Sequence, residues 1–332
     1  MRRSKLTPTT PPMFKNLSVY RIQGDWHPAI AEAEASLQKF RFAECGATQA
    51  ISAGWVEPRG EKHGPLVEAV GDQWMLTLCI QTKLLPAGVI KQHVDARIEQ
   101  IKQREARRPG KKEVREIKEA VILELLPKAF SKKEHISVWI DRKNKLVAID
   151  TASQSKCDTA TSALVKTLDG LAIGLIQTQM SPGTCMSQWL MDGEAPDGFG
   201  VERECELKSS DESRSAVKYS RHVLDIDEVK QHLTHGKTPT QLAMTWTDRV
   251  SFTLTDAMAL KKVTFLETPL MKKKAGGDDP FDANAAIVTG ELSQLIPQLI
   301  EALGGELEFT GESGEGAREA KSEEREQETA EA

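Results

Sequence analysis

Residues 83–133 read KLLPAGVIKQHVDARIEQIKQREARRPGKKEVREIKEAVILELLPKAFSKK. Pro86 suits the first turn of a helix, where its missing N–H leaves no bond unmade. Val89, Ile90, Val94, Ile98 and Ile101 then recur at helical spacing. Arg108-Pro109-Gly110 breaks the run, because proline disfavours helix in the residue before it and glycine permits a reversal. A second helix is predicted from about Lys111 to Leu126, with Val114, Ile117, Val121 and Leu125 on one face. Pro127 ends it. Two such helices form a hairpin whose first arm would reach roughly 35 Å at 1.5 Å per residue. Its apolar stripe is narrow and its outer half almost all charge, so it is expected to project from the body.

The same stretch is strongly basic. It holds 14 lysines and arginines against 7 acids, so it carries +7 in a chain whose formal charge is −5, and the remainder carries −12. Positive charge concentrated on one element is the footprint of a polyanion-binding surface. Arg97, Arg104 and Arg108 are spaced seven and four apart, and Lys111, Arg115 and Lys118 four and three, so each set is expected on one helical stripe. The candidate phosphate contacts are Lys91, Arg97, Lys102, Arg104, Arg107, Arg108, Lys111, Lys112, Arg115, Lys118, Lys132 and Lys133. Phosphate contacts give affinity without reading sequence. Charge alone leaves three readings open: nucleic-acid binding, a solvated face laced by pairs such as Arg115–Glu119, or a dock for an acidic protein.

Around the hairpin the pattern is strand-rich. Phe14 to Ile22 and Trp74 to Gln81 read as strands, the second apolar enough to be buried on both faces. Pro28 to Phe40 reads as a helix with Ile30, Ala33 and Leu37 inward, and Gly54 to Gly64 as turn-rich. Ile136–Ile140 and Leu146–Asp150 form a strand pair, followed by a helix over 156–168 and an apolar strand over 171–176. A short helix opens at Ser181-Pro182 and closes at Asp192-Gly193. Strands over 199–207 and 216–224, a helix over 225–235 and a meander over 241–247, 250–255 and 260–266 follow. A polar loop over 271–279 precedes a final helix over 281–303, ended by Gly304-Gly305.

Short turns between strands argue an α+β fold, with mixed or antiparallel sheets flanked by helices, rather than a doubly wound parallel sheet. The expected organisation is a flexible extension (1–12), a discontinuous central domain (13–82 plus 131–180), the helical tip (83–130), a base domain (181–305) and a disordered acidic tail (306–332). That tail holds 10 acids against 3 bases, which suits it to compete for the basic surface.

No stretch approaches the roughly 18 apolar residues that span a bilayer, and residues 1–12 lack the apolar core of a secretory signal. A cytoplasmic location without membrane contact is expected. The five cysteines are odd in number and widely spaced, which suits free thiols. The six tryptophans sit in apolar surroundings, while the basic stretch has one aromatic, Phe130. Base stacking on single strands is therefore not the obvious binding mode. Phe130, just past a helix stop and between lysines, suits either a core plug or an anchor in a subunit contact.

Catalytic signals are thin, and no catalytic residue, metal or cofactor is assigned. Phosphate-binding glycine loops, His-Glu-x-x-His and Gly-x-Ser-x-Gly do not occur. His232 and His235 lie three apart on a helix without a visible third ligand. Asp141, Asp150 and the Glu116-Ile-Lys118 triplet would be the raw material of a metal-dependent nuclease.

The chain resembles the recombination-associated protein RdgC family. The resemblance is carried by Met13-Phe14-Lys15-Asn16-Leu17 with Val19-Tyr20-Arg21, Gly54-Trp55-Val56 with Pro58, and Leu85-Pro86 with Val89-Ile90-Lys91-Gln92. It continues through Leu125 to Ser131, Trp139-Ile140-Asp141, Glu206-Leu207-Lys208, and Gly290-Glu291-Leu292 to Gly304-Gly305-Glu306. It implies a ring-forming homodimer that encircles double-stranded DNA without sequence preference, with single-stranded DNA as a further ligand. It also implies nucleoid association and a role in limiting recombination by the RecA recombinase. The basic hairpin matches the family's tip and Phe130 its tip-contact phenylalanine. Arg221 and His222 stand where relatives carry a polar pair, typically Lys-Gln, near a subunit contact. The N-terminal extension and the acidic tail depart from the family pattern.

Overall fold

The computed structural model describes residues 14–209, 211, 215–266 and 280–307. The N-terminal extension, the loop over 271–279, most of the loop after Ser209 and the tail beyond Leu307 lie outside these residues.

Strand β1 (Leu17–Gln23) shows how the body is built. Its side chains alternate between two cores: Leu17 and Val19 enter one, Tyr20 and Ile22 the other. β6 (Leu146–Asp150) lies antiparallel beside it, with Val19 opposite Ala148 and Tyr20 opposite Val147. Leu146 and Ala148 join the first core, Val147 and Ile149 the second. The same division holds in β5 (Phe130–Asp141), where Trp139 faces one way and Val138 and Ile140 the other. In β4 (Gln73–Leu84), Met75 faces one way and Trp74, Leu76 and Leu78 the other. Period-two side chains on a strand covered from both sides give this continuous apolar pattern.

One face is covered by α1 (Ile30–Lys39) and α4 (Gln154–Thr167), through Ala33, Leu37, Cys157, Ala160 and Leu164. Helices α5 (Pro182–Asp192), α6 (Asp227–Thr234) and α7 (Pro280–Ala302) contribute to the other core. The α7 stripe runs Ala285, Val288, Leu292, Leu295, Ile296, Leu299, and Leu303 beyond its end closes it. Ile30 departs from expectation: it opens α1 facing solvent, because the buried stripe runs through Ala33 and Leu37.

All pairs between strands among the described residues are antiparallel, with one isolated parallel bridge between Arg41 and Trp55. β2 (Ile51–Val56), β3 (Glu68–Val70), β7 (Ala172–Leu175), β8 (Phe199–Ser209), β9 (Ala216–Ser220), β10 (Lys237–Trp246), β11 (Val250–Thr255) and β12 (Ala259–Phe265) complete one sheet. Its order is β2-β4-β5-β6-β1-β12-β11-β10-β8-β9, with β3 on β4 and β7 on β1. The α+β reading with antiparallel strands therefore holds. The halves meet where β1 pairs with β12, Leu17 opposite Leu260 and Ser18 opposite Ala259.

Several boundaries differ from expectation. Gly54 and Trp55 lie inside β2, not in a turn. β5 begins at Phe130 rather than Ile136, since its polar first half continues the ladder along β4. β7 has its side chains half-buried or exposed, Leu175 the most open, because it lies off the main path of the sheet. β9 stops at Ser220 because Arg221 takes a left-handed φ of 55°. No helix among the described residues is long and apolar enough to cross a membrane.

Two polar devices lock the layers. Pro297 lies within α7 and has no N–H to offer the carbonyl of Ser293 one turn earlier. Asn144 Nδ2, in the β5–β6 turn, donates to that carbonyl at 3.1 Å. Asp141, fully buried, accepts from Asn144 N at 3.0 Å and Nδ2 at 2.7 Å. Arg59 pairs with Glu68 at 2.9 Å and with Asp282 on α7, its guanidinium 4.6 Å from the Phe281 ring centre.

Gly54 is required for close approach. Strand β2 runs against residues 40–42, with Phe42 N donating to Trp55 O at 2.9 Å and Trp55 N to Phe40 O at 3.0 Å. A Cβ at Gly54 would stand 2.5 Å from Phe42 Cα. Gly54→Ala should therefore destabilise the fold by about 1–3 kcal/mol, measured as a lower urea midpoint. An unchanged midpoint would show that the backbone yields without cost.

Candidate nucleic-acid interface

The β4–β5 ladder runs unbroken through twelve register pairs, from Gln73 opposite Asp141 to Leu84 opposite Phe130. Helices α2 (Ala87–Glu105) and α3 (Lys111–Leu125) fill the connection between those two strands. Pro86 precedes α2 with φ −60°, and Ala106 ends it in the left-handed region, its N–H donating to Lys102 O at 3.0 Å. Gly110 stands extended before α3, and a short 3-10 turn containing Pro127 follows. The two helices face each other across Ile101, Ile117, Ala120 and Val121, with Arg97 and Arg104 at the groove. Within the helices only Val94 and Val121 are buried, so the pair has a thin core.

The twelve candidate cations divide by their neighbours. Arg97 reaches across to Glu124 on α3 at 2.7 Å, and Lys102 pairs with Glu99. Arg107 staples the interhelical loop, pairing with Glu105 at 2.6 Å and Glu113 at 2.7 Å. Its hydrogen bonds hold the Glu113 carboxyl below the usual range. Arg115 pairs with Glu119 at 3.1 Å. Lys132 lies 2.8 Å from Glu134 on the same strand, and Lys133 lies 2.6 Å from Glu44 and over the Phe42 ring. Lys91, Arg104, Arg108, Lys111, Lys112 and Lys118 are exposed and have no ion-pair partner among the described residues. Exposed pairs hold their partners weakly, so phosphate can displace them at little cost.

The α3 stripe matches expectation in place: Lys111, Arg115 and Lys118 are all exposed on that helix. The α2 stripe needs correction. Arg108 lies beyond the helix end, because the left-handed turn at Ala106 carries the chain away from the Arg97–Arg104 line. Lys132 and Lys133 are on β5, pointing to opposite faces, so they share no stripe with each other.

Phe130 opens β5 and is 86% exposed, the most open large apolar side chain among the described residues. It plugs no core of this chain. Leu84, its cross-strand partner, is half exposed, as is Leu123 on α3. The exposure of Leu84 and Leu123 was not apparent from periodicity, which marks apolar residues without saying what covers them. Lys83 belongs to the basic stretch, but its ammonium is held by backbone carbonyls of Gly46, Ala47 and Leu126.

Arg221 and His222 lie at the far edge of the sheet, just after β9. Both are exposed; His222 N donates to Arg203 O at 3.1 Å, and its ring lies 5.9 Å from that of Tyr219. Tyr219 also meets His232 at 6.5 Å and donates to Glu228 at 3.1 Å. β9 stands seven strand positions from β5, roughly 34 Å at about 4.8 Å per strand. A single chain therefore does not bring Phe130 and Arg221 together.

The carboxylates considered for nuclease chemistry have other work. Asp141 caps the β5–β6 turn. Asp150 accepts from Asn16 N at 2.9 Å, and burial raises its pKa despite that bond. Glu116 is exposed on α3. His235 Nδ1 is 2.6 Å from Gln231 O, and His232 faces Tyr219 and Lys237, so the two histidines serve different neighbours. Among the described residues, no group of three or more His, Cys, Asp or Glu is placed to hold a metal ion.

A family model described as "RdgC: Putative exonuclease, RdgC" matches residues 13–306. The recombination-associated protein RdgC of Dechloromonas aromatica is 40% identical over 302 residues, covering 89% of this chain and 98% of that protein. The protein of the same name from Cupriavidus pinatubonensis is 43% identical over 298 residues, covering 88% and 98%. That from Bordetella pertussis is 39% identical over 296 residues, covering 88% and 98%.

The neighbours of Tyr219 set a pH test. Burial, then the Glu228 bond, pushes its pKa up to about 12, and burial raises that of Tyr20 as well. An unfolded tyrosine ionises near pH 10. Between the two values the folded chain binds more protons than the unfolded one. The stability Tyr219 adds is thus complete below about pH 10 and is lost as pH rises toward about 12. Both tyrosines should stay protonated in the native protein at about pH 10.5, read by phenolate absorbance. Phenolate appearing before unfolding would contradict the packing around them.

Proposed function

The chain belongs to the RdgC family of recombination-associated proteins, and from that membership we propose a non-catalytic, sequence-independent binder of double-stranded DNA. It encircles the duplex as a homodimer and limits RecA-mediated recombination at the nucleoid. The observation that carries this reading is the α2–α3 arm. It presents six of the twelve candidate cations exposed and without an ion-pair partner among the described residues, in an otherwise acidic chain, and has an exposed phenylalanine at its foot.

A ring needs no base contacts and little pairwise affinity, because topology prevents escape. It needs inward positive charge and two self-complementary contacts across a two-fold axis. Phe130 and the Arg221–His222 pair are candidates for those contacts, and their separation across the sheet suits a closed ring. In this reading α2 and α3 form the projecting tip (83–130). Residues 13–82 plus 131–180 form the central portion, and residues 181–305 the base.

The family description also names exonuclease activity, which gives a second reading. The carboxylates Asp141 and Asp150 argue for scaffold roles instead, through the bonds described above. Incubating linear and circular DNA with the protein and Mg²⁺ or Mn²⁺ should leave both intact; progressive shortening would replace the non-catalytic reading.

Affinity for a short duplex should fall at least about a thousandfold between 50 and 200 mM salt, the response of six or more phosphate contacts. It should be alike for unrelated sequences. A flat salt response would end the proposal. Phe130→Ala should keep the melting curve nearly intact and shorten retention on closed circular DNA. Unchanged retention would remove Phe130 from the ring contact.

A further inference from the structure

We propose that Lys83 is a positioning residue: a clamp that fixes the α2–α3 arm to the sheet rather than one more phosphate contact. The inference rests on the DNA-binding reading only for its functional consequence. A lysine ammonium has three N–H donors. Here Nζ donates to Gly46 O at 2.9 Å, Ala47 O at 2.9 Å and Leu126 O at 3.0 Å. All three donors are engaged by backbone, and none is left for a phosphate.

The three acceptors come from two segments. Gly46 and Ala47 lie in the loop before β2, and Leu126 follows the last residue of α3. That loop is itself bound to β4: Cys45 N donates to Gln81 Oε1 at 3.0 Å, and Lys83 N donates to Ala50 O at 2.8 Å. Gln81 and Lys83 are two apart on the strand, so their side chains leave the same face. The clamp thus sits where the sheet ends and the arm begins, with Lys83 opposite Ser131 and the last pair, Leu84–Phe130, beyond it. A cation also suits the carbonyl end of a helix, where the macrodipole is negative. Since the arm has a thin core of its own, this anchorage governs the direction in which its cations point.

Two variants separate a clamp from a charge. Lys83→Met removes the donors and the charge. Lys83→Arg keeps the charge, but its planar fork cannot converge on three carbonyls as an ammonium does. In both, amide hydrogen exchange over residues 117–129 should quicken at least tenfold while the melting temperature moves little, because neither core cluster includes Lys83. Duplex affinity should drop about tenfold in both, with the slope of log affinity against log salt unchanged. A Lys83→Arg protein with wild-type affinity, together with a Lys83→Met slope shallower by about 0.9 per subunit, would make Lys83 a phosphate contact and overturn the proposal. Unchanged exchange in both variants would overturn it as well. If the unaltered protein binds DNA without salt dependence, the functional reading fails, and the exchange measurement still decides whether the clamp exists.

Discussion

The twelve-pair ladder between β4 and β5 is the constraint on which the rest depends. Its inner half is buried on both faces and belongs to the cores through Trp74, Met75, Val138 and Trp139. Its outer half carries charged and polar residues and delivers the chain to the arm. Because the pairing never breaks, the arm is placed by the same hydrogen-bond register that places the tryptophans. The exposed surface of the arm therefore inherits its position from the interior, one strand pair at a time.

Charge in this chain serves two purposes, and the geometry separates them. Lys83, Arg107 and Arg59 join segments, each surrounded by the acceptors it needs. Lys111, Lys112 and Lys118 on α3, like Arg104 and Arg108, have no ion-pair partner among the described residues. Counting lysines and arginines along the chain merges these classes. The difference lies in what the fold brings close, as Glu113 to Arg107 or the Leu126 carbonyl to Lys83.

Much of the architecture was legible because buried strands leave a strong trace. Residues 74–76, 78–80 and 146–149 are buried on both faces, and their composition says so. A break between the two helices at Arg108-Pro109-Gly110 was legible, since proline and glycine act locally, although α2 already ends at Glu105. The first half of β5 was not legible: Phe130-Ser131-Lys132-Lys133 lacks apolar alternation, and only its partner strand makes it extended. Gly54 looked like a turn because its need for a missing Cβ comes from Phe42, twelve residues away and across a bridge. Periodicity put Arg108 on a stripe, but one left-handed residue, Ala106, moved it. At the site, residue types were legible and roles were not: Phe130 stood equally for plug or contact until its exposure was seen.

The joint between β1 and β12 has a mechanical meaning. Only two register pairs span it, against twelve in the β4–β5 ladder, with Lys15 O accepting from Val263 N as a further tie. Hydrogen-bonded strands resist shear in proportion to the number of bonds loaded together. A load applied between the two halves of the sheet is therefore borne first at this short seam and then by the α7 packing behind it. Under such a load this two-pair seam would yield before the four- and five-pair ladders on either side of it.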